Sequence, residues 1–408
     1  MTLGDSFMPL AQKNTVDTPT EGELIARAQS LIPVLKERSK ACEDLRSVPQ
    51  ETIDDFREAG FFKIVQPIEH GGYGMSPLTL YRVLHEVGRG CMSSCWVLMV
   101  LALHSYEVYM MGKASCDAVW GEDQDALVAS SYAPLGQMEK VDGGYKLNGC
   151  WRFCSGIDHA QHVVVGGMVQ VPGQERPDYR VCMVPASDYE IDANSWQTFG
   201  LAGTGSKDIQ ITDVFVPDDH THSLIEAHLM LGQDQLPKNY RYPFWVAFGF
   251  CVASAVIGGT RGGLDELTEQ MGARVGSFDM GAGRAPATQD PFVRARLGKA
   301  TVLVRGAVAR LEKVVFEMTD FIERGEAIPV PDRMHYMAEA AQCGKDCEDA
   351  ALLLYKATGA RGIMLDNHMQ AVLRNVLAGT NHISMHVEGM AINLGSMLLG
   401  AEDVSPIC

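Results

Sequence analysis

The stretch Leu147–Ala160, LNGCWRFCSGIDHA, sets the reading of the whole chain. It reads as a short strand, an aromatic-rich bend and a Ser-Gly-Ile-Asp-His turn. The Gly143-Gly144 pair before it marks a hairpin. Trp151, Phe153 and the turn at Ser155 offer a flat apolar surface beside a small hydroxyl. Such a surface suits a planar heteroaromatic ring, whose faces meet aromatics while a hydroxyl reaches a ring nitrogen. Taken alone, the segment reads first as a core strand ending in an ordinary turn. Its surroundings decide.

Around this stretch, Leu127–Ser131, Gly144–Phe153, His162–Val169, Tyr179–Val184 and Ile209–Val216 are short and β-branched, with turn residues between them. They read as a compact β domain over 126–235, too closely spaced for intervening helices. Upstream, a polar arm (1–20) leads into a helical domain (21–125). Its first helix shows Leu24, Ile25, Ala28, Leu31, Ile32 and Leu35 at helical steps. A further helix ends at Gly60, Phe61–Gly74 is a glycine-rich loop, and helices resume at Ser76–Gly88 and Met92–Met111. Downstream, 236–408 reads as a four-helix bundle of Phe244–Leu267, Pro291–Glu323, Arg333–Thr358 and Gln370–Met397. Gly258, Gly259, Gly262 and Gly263 permit close helix packing, and the loop Gly276–Asp290 is suited to cover or line a site. The fold class is therefore α+β, with a site expected where the β domain meets helices from both ends.

A formal net charge of −17 over 408 residues argues against nucleic acid or an anionic membrane as a partner and leaves a small molecule. Met1–Gly22 lacks the basic start and apolar run of a secretion signal. The uncharged stretches Cys91–Leu103 and Pro243–Thr260 are short for a bilayer span and read as core helices. The 11 cysteines show no disulfide framework and no CxxC pair, which suggests a reducing cytoplasm.

Three places hold candidate chemistry. His104 lies in an apolar helix, either as a core histidine or as a hydrogen-bond partner for a phenol or ring N–H. His382, His386 and Glu388 share the spacing of a metal cluster, but HExxH is missing and a helix start at Gly379-Thr380-Asn381 explains His382 as well. Phe199–Lys207, FGLAGTGSK, is a turn of small residues and hydroxyls, without the spacing of a Walker loop. No Rossmann fingerprint follows an early strand, so nicotinamide chemistry of the usual kind is not expected.

Four motifs together carry a resemblance over about Glu21–Leu399: GFFKIVQPIEHGGYG, VDGGYKLNGCWRFCSGIDHA, FGLAGTGSKDIQITDVFVP and LRNVLAGTNHIS. The chain resembles the acyl-CoA dehydrogenase fold and, within it, the oxygenase components of two-component flavin-dependent monooxygenases. These include hydroxylases of p-hydroxyphenylacetate, indole and dibenzothiophene. The resemblance implies an N-terminal helical domain, a central β-barrel or sandwich and a C-terminal four-helix bundle. It also implies reduced FAD or FMN delivered by an NADH-dependent flavin reductase, O2 as co-substrate, and transfer of oxygen from a flavin C4a-hydroperoxide to a small aromatic. Ser155 would meet flavin N5, with His382 near C4a. His104, Ser130 and Trp96 would face the substrate. Trp151 and Phe153 would flank the ring, and Thr204 and Ser206 would bond its polar edge. Arg241, or alternatively Arg261, would pair with the anionic flavin. Gly359 and Arg361, within Gly359–Gly362, would complete a neighbouring subunit's pocket in a homotetramer. The dehydrogenase alternative, with tightly bound FAD, needs a catalytic Glu where this chain has His382, and Glu388 stands six residues further on. A non-catalytic scaffold of the same fold is the third reading.

Overall fold

The computed structural model describes residues 18–170, 177–228, 230, 233–273 and 286–401. The chain opens with helices α1 (Glu21–Leu45), α2 (Gln50–Glu58), α3 (Pro77–Gly90), α4 (Met92–Met111) and α5 (Lys113–Trp120). Helix α1 starts at a capping box: the Glu23 amide donates to Thr20 Oγ1 at 3.3 Å and the Thr20 amide to Glu23 Oε2 at 2.7 Å. Its buried stripe is Leu24, Ala28, Leu35 and Cys42. Helix α4 is apolar on all sides and is the spine of the molecule. Each of its fully buried Leu98, Leu101 and Leu103 contributes about 1.5–3 kcal/mol of burial.

Strands β1 (Val128–Val141), β2 (Gly144–Cys154), β3 (His162–Val169), β4 (Asp178–Pro185), β5 (Glu190–Asp192), β6 (Lys207–Pro217) and β7 (Thr221–Ser223) follow. They form one mixed seven-stranded sheet in the order β5-β6-β2-β1-β3-β4-β7. Only β1 and β3 run parallel. Strand β1 continues well beyond Ser131, the end expected from sequence, because it runs on through the register shift between Ser131 and Gly136 to pair with β2. The hairpin turns at Asp142-Gly143, with Gly143 at φ +73°.

Helices α6 (Leu224–His228), α7 (Phe244–Ala273), α8 (Pro291–Glu323), α9 (Val330–Ala357), α10 (His368–Thr380) and α11 (Val387–Leu398) complete the chain. Helix α7 crosses α3 glycine on glycine: a Cβ on Gly88 would stand 2.8 Å from Gly258 Cα, and one on Gly262 would stand 2.4 Å from the Arg89 carbonyl. The segment Gln370–Met397 is not one helix. It breaks at Asn381–His386, where His382 turns extended (ψ 142°) and caps a short 3-10 turn with its own ring. The chain thus ends a helix at Thr380, where one of the two readings of His382 had a helix start. Helices α4 and Phe244–Gly272 are apolar and long enough to cross a bilayer, yet they are 94% and 83% buried inside the protein. The loop 276–290 expected to cover a site lies, up to residue 285, outside the described residues.

Candidate active site

Helix α4, the turn after β2, the loop before β6 and the break after α10 meet at one place. Trp96 on α4 joins them. Its indole N–H donates to Ser155 Oγ at 3.3 Å, and its ring stands edge-on to His382 with centroids 5.7 Å apart. His382 in turn packs on Phe248 of α7 at 5.5 Å, and Phe248 on His104 at 6.1 Å. The histidines of α4 and of the α10 break are thereby brought to one aromatic wall, more than 250 residues apart in sequence.

Ser155 ends a chain of hydroxyls whose direction the geometry fixes. Thr204 Oγ1 donates to the Leu201 carbonyl at 2.8 Å, which uses its only hydrogen. Ser206, 2.6 Å away, must then donate to Thr204, and Ser155, 2.7 Å from Ser206, must donate to Ser206. With Trp96 donating to it, Ser155 Oγ keeps one free lone pair and no free hydrogen. The loop that carries this chain is bound to α10: the Leu201 amide donates to Asn375 Oδ1 at 2.8 Å, and Arg374 reaches both the Phe199 carbonyl and Glu43. The Gly156 amide donates to the Thr204 carbonyl at 3.0 Å, which ties the two turns together. Thr204 and Ser206 are buried and bonded to one another, next in the chain of hydroxyls behind Ser155.

Phe153, beside Ser155, is 67% exposed and held at φ +63°, a conformation costly for a side chain with a Cβ. Trp196 supports it edge-on at 6.1 Å. Trp151 points the other way. It is fully buried and donates its indole N–H to the Gly166 carbonyl at 2.8 Å. A Cβ on Gly136 would stand 2.1 Å from its ring. Trp151 therefore takes part in the sheet's packing, and Phe153 is the exposed aromatic of the pair.

His382 Nδ1 accepts the Ser384 amide N–H at 3.2 Å, with the Ser384 hydroxyl at 2.8 Å, so the proton of the neutral ring sits on Nε2. Burial lowers its pKa to about 4, which keeps it neutral at pH 7. His104 is fully buried within Tyr132, Phe244 and Phe248, and neither ring nitrogen has a hydrogen-bond partner. Burial lowers its pKa, against a weaker opposing pull from Glu107. Ser130 lies two residues before Tyr132 on the same face of β1. Sequence reading missed Tyr132, Glu107 and His222: the Tyr132 hydroxyl donates to the buried Glu107, and His222 Nε2 lies 3.1 Å from Glu107 Oε1. A lone acidic residue inside the apolar run of α4 was the available signal.

The arginines stand apart. Arg241 donates to the Leu236 carbonyl at 2.6 Å before α7, and Arg261 pairs with Glu86 at 3.1 Å across the α3–α7 contact. Gly359 and Arg361 occupy an exposed 3-10 turn (Gly359–Ile363) after α9. Glu388 is exposed in the first turn of α11, not at the aromatic wall. A groove of about 620 Å³ lined by Lys36, Lys40, Arg89, Glu266 and His368 holds none of the expected site residues.

Comparison with known proteins agrees with this fold. The acyl-CoA dehydrogenase N-terminal domain matches residues 28–120 and the C-terminal domain residues 250–387. The chain is 30% identical over 377 residues to the oxygenase subunit HsaA of a flavin-dependent monooxygenase from Rhodococcus jostii (strain RHA1), covering 91% of this chain and 96% of that one. It is 29% identical over 387 residues to the oxygenase component of an FADH(2)-dependent resorcinol hydroxylase from Rhizobium sp. (strain MTP-10005), covering 93% and 94%. The crystal structure of 3-HSA hydroxylase from Rhodococcus sp. RHA1 superposes with a TM-score of 0.88 at 28% identity, over 95% of this chain and 99% of that one. The chain belongs to the flavin-dependent monooxygenase oxygenase components built on the acyl-CoA dehydrogenase fold.

Proposed function

We propose that the chain takes reduced FAD or FMN from a separate NADH-dependent reductase and, with O2, hydroxylates a small aromatic of phenol or indole type. The observation that carries this reading is the pairing of two unmet needs on one aromatic wall: His104 with both ring nitrogens unpartnered, and Ser155 with a free acceptor lone pair. Reduced flavin supplies the two electrons that activate O2 for insertion into an aromatic carbon. Its N5–H is a donor and fits the Ser155 acceptor, while Phe153 offers a face to the ring system. His382, neutral and with its Nε2–H unused, adds a donor without adding charge. His104 orients a substrate O–H or N–H, and Ser130, Trp96 and the phenylalanines form walls that exclude water.

The quaternary reading is a homotetramer formed through the bundle. Phe316 (74%), Val302 (71%) and Leu365 (82%) are exposed apolar side chains on α8 and the turn after α9. Gly359 and Arg361 sit on this surface, from which they would reach a neighbouring subunit's flavin, and Arg241 is the candidate for the flavin of its own subunit. The described cysteines form no disulfide, in keeping with a reducing cytoplasm. The test supplies the protein with a reductase, NADH, flavin and isotopically labelled O2 in the presence of resorcinol, phenol or indole. Label in a hydroxylated product supports the reading. Flavin oxidation to hydrogen peroxide with every aromatic tried contradicts it.

A further inference from the structure

Glu107, His222 and Tyr132 have no part in the roles given so far. Glu107 lies one helical turn beyond His104 on α4 and is fully buried, a costly place for a carboxyl even when paired. Tyr132 donates its phenol O–H to Glu107 Oε2. Glu107 Oε1 lies 3.1 Å from His222 Nε2. His222 Nδ1 lies 3.2 Å from the Ser223 carbonyl, which only accepts, so Nδ1 carries a hydrogen. The contact between Glu107 and His222 then holds one shared proton, on the imidazole or on the carboxyl. The other titratable groups around Glu107 are Tyr179, whose hydroxyl donates to the Tyr132 carbonyl, and His104. One end of this row is at the aromatic wall, where the Tyr132 and His104 rings are 5.7 Å apart. At the other end the His222 side chain is 15% exposed.

We propose that Tyr132, Glu107 and His222 form a proton path between a phenolic substrate at the aromatic wall and solvent. The path rests on the aromatic-hydroxylase reading of that wall and narrows its substrate to a phenol. The substrate O–H bond breaks and its proton bonds to Tyr132 Oη, while the Tyr132 proton moves to Glu107 Oε2. The shared proton settles on His222 Nε2, and the Nδ1 proton leaves to water. The path ends with as many protons as it began, and the substrate is a phenolate, whose ring is richer in electrons for attack on an electrophilic oxygen. Tyr132 and Glu107 serve here as proton carriers, with no change of oxidation state.

The test uses the flavin-free full chain and para-nitrophenol, whose phenolate is coloured, in lightly buffered solution with a pH-indicating dye. In the native protein, phenolate and released proton are expected to appear together with binding. Tyr132→Phe and His222→Asn are expected to bind the phenol with little change in affinity but to ionise it about a hundredfold more slowly. A merely structural role would weaken binding without delaying ionisation of what is bound. Ionisation at the native rate in either variant, or native binding without proton release, overturns the path alone. Failure of the native protein to bind any phenol overturns the hydroxylase reading together with it.

Discussion

At the scale of single residues, the polarity of the hydroxyl chain is the most consequential feature. Ser155 accepts only because Thr204 has given its hydrogen to the Leu201 carbonyl and Ser206 has given its own to Thr204. Oxidised flavin presents N5 as an acceptor, so acceptor would face acceptor, whereas the N5–H of reduced flavin is matched. Ser206→Ala frees the Ser155 hydrogen, and the ratio of reduced-to-oxidised flavin affinity is expected to fall about tenfold, one hydrogen bond's worth, chiefly by tighter binding of the oxidised form. Equilibrium titration with both redox states measures it; an unchanged ratio contradicts the fixed polarity. Phe153 offers a second test. Phe153→Gly removes a left-handed strain of about 1 kcal/mol, so thermal stability is expected to hold or rise while flavin affinity drops. A loss of both would mean that Phe153 is packing the fold and not facing a ligand.

At the scale of elements, most of the order was legible because periodicity is local. The helical stripe of α1, the β-branched runs and the glycine pairs of α7 were readable as patterns. The limits came from tertiary contacts. Trp151 and Phe153 would share a face in a regular strand; the register shift between Trp151 and Cys154, with Phe153 at φ +63°, parts them, and nothing local in the sequence announces it. Gly136 and Gly149, which admit the Trp151 ring, lie on other parts of the hairpin. The break after α10 was likewise hidden, since Asn381 and His382 do not forbid a helix. It is the Ser384 amide captured by the His382 ring that ends the helical path. Ser155 and His382 were recognisable from motifs, whereas Glu107 and His222 are joined only through the meeting of α4 and β7. The clamp between α10 and the loop before β6 is testable. Asn375→Ala leaves the Leu201 amide unpaired and is expected to cost about 1–3 kcal/mol. Faster amide hydrogen exchange across 199–206 should accompany it, and unchanged exchange would mean that the loop holds itself.

At the scale of the whole molecule, several buried histidines make the fold acid-sensitive. Burial, reinforced by Arg261 and Arg82, lowers the pKa of His85 to about 3; burial and Arg333 lower that of His228 to about 4. Both values lie below the ordinary 6.5. The unfolded chain therefore takes up protons that the native state refuses. The contribution is intact above pH 6.5 and is lost as pH falls toward 4, with a slope of about 1.4 kcal/mol per pH unit for each proton. Denaturation at pH 7.5 and 5 checks this, and His228→Gln should make the slope shallower by about one proton. Burial keeps His382 neutral at pH 7 in the same way.

Rapid mixing decides whether this aromatic wall holds a reduced flavin and directs its oxygen to a phenol. Protein loaded with reduced FAD or FMN is mixed with oxygenated buffer and followed by absorbance. A transient distinct from both reduced and oxidised flavin is expected. It should decay faster when resorcinol is present, with hydroxylated product in step, and Ser155→Ala should shorten its life. Direct conversion of reduced to oxidised flavin, with no transient and no response to any phenol, would contradict it.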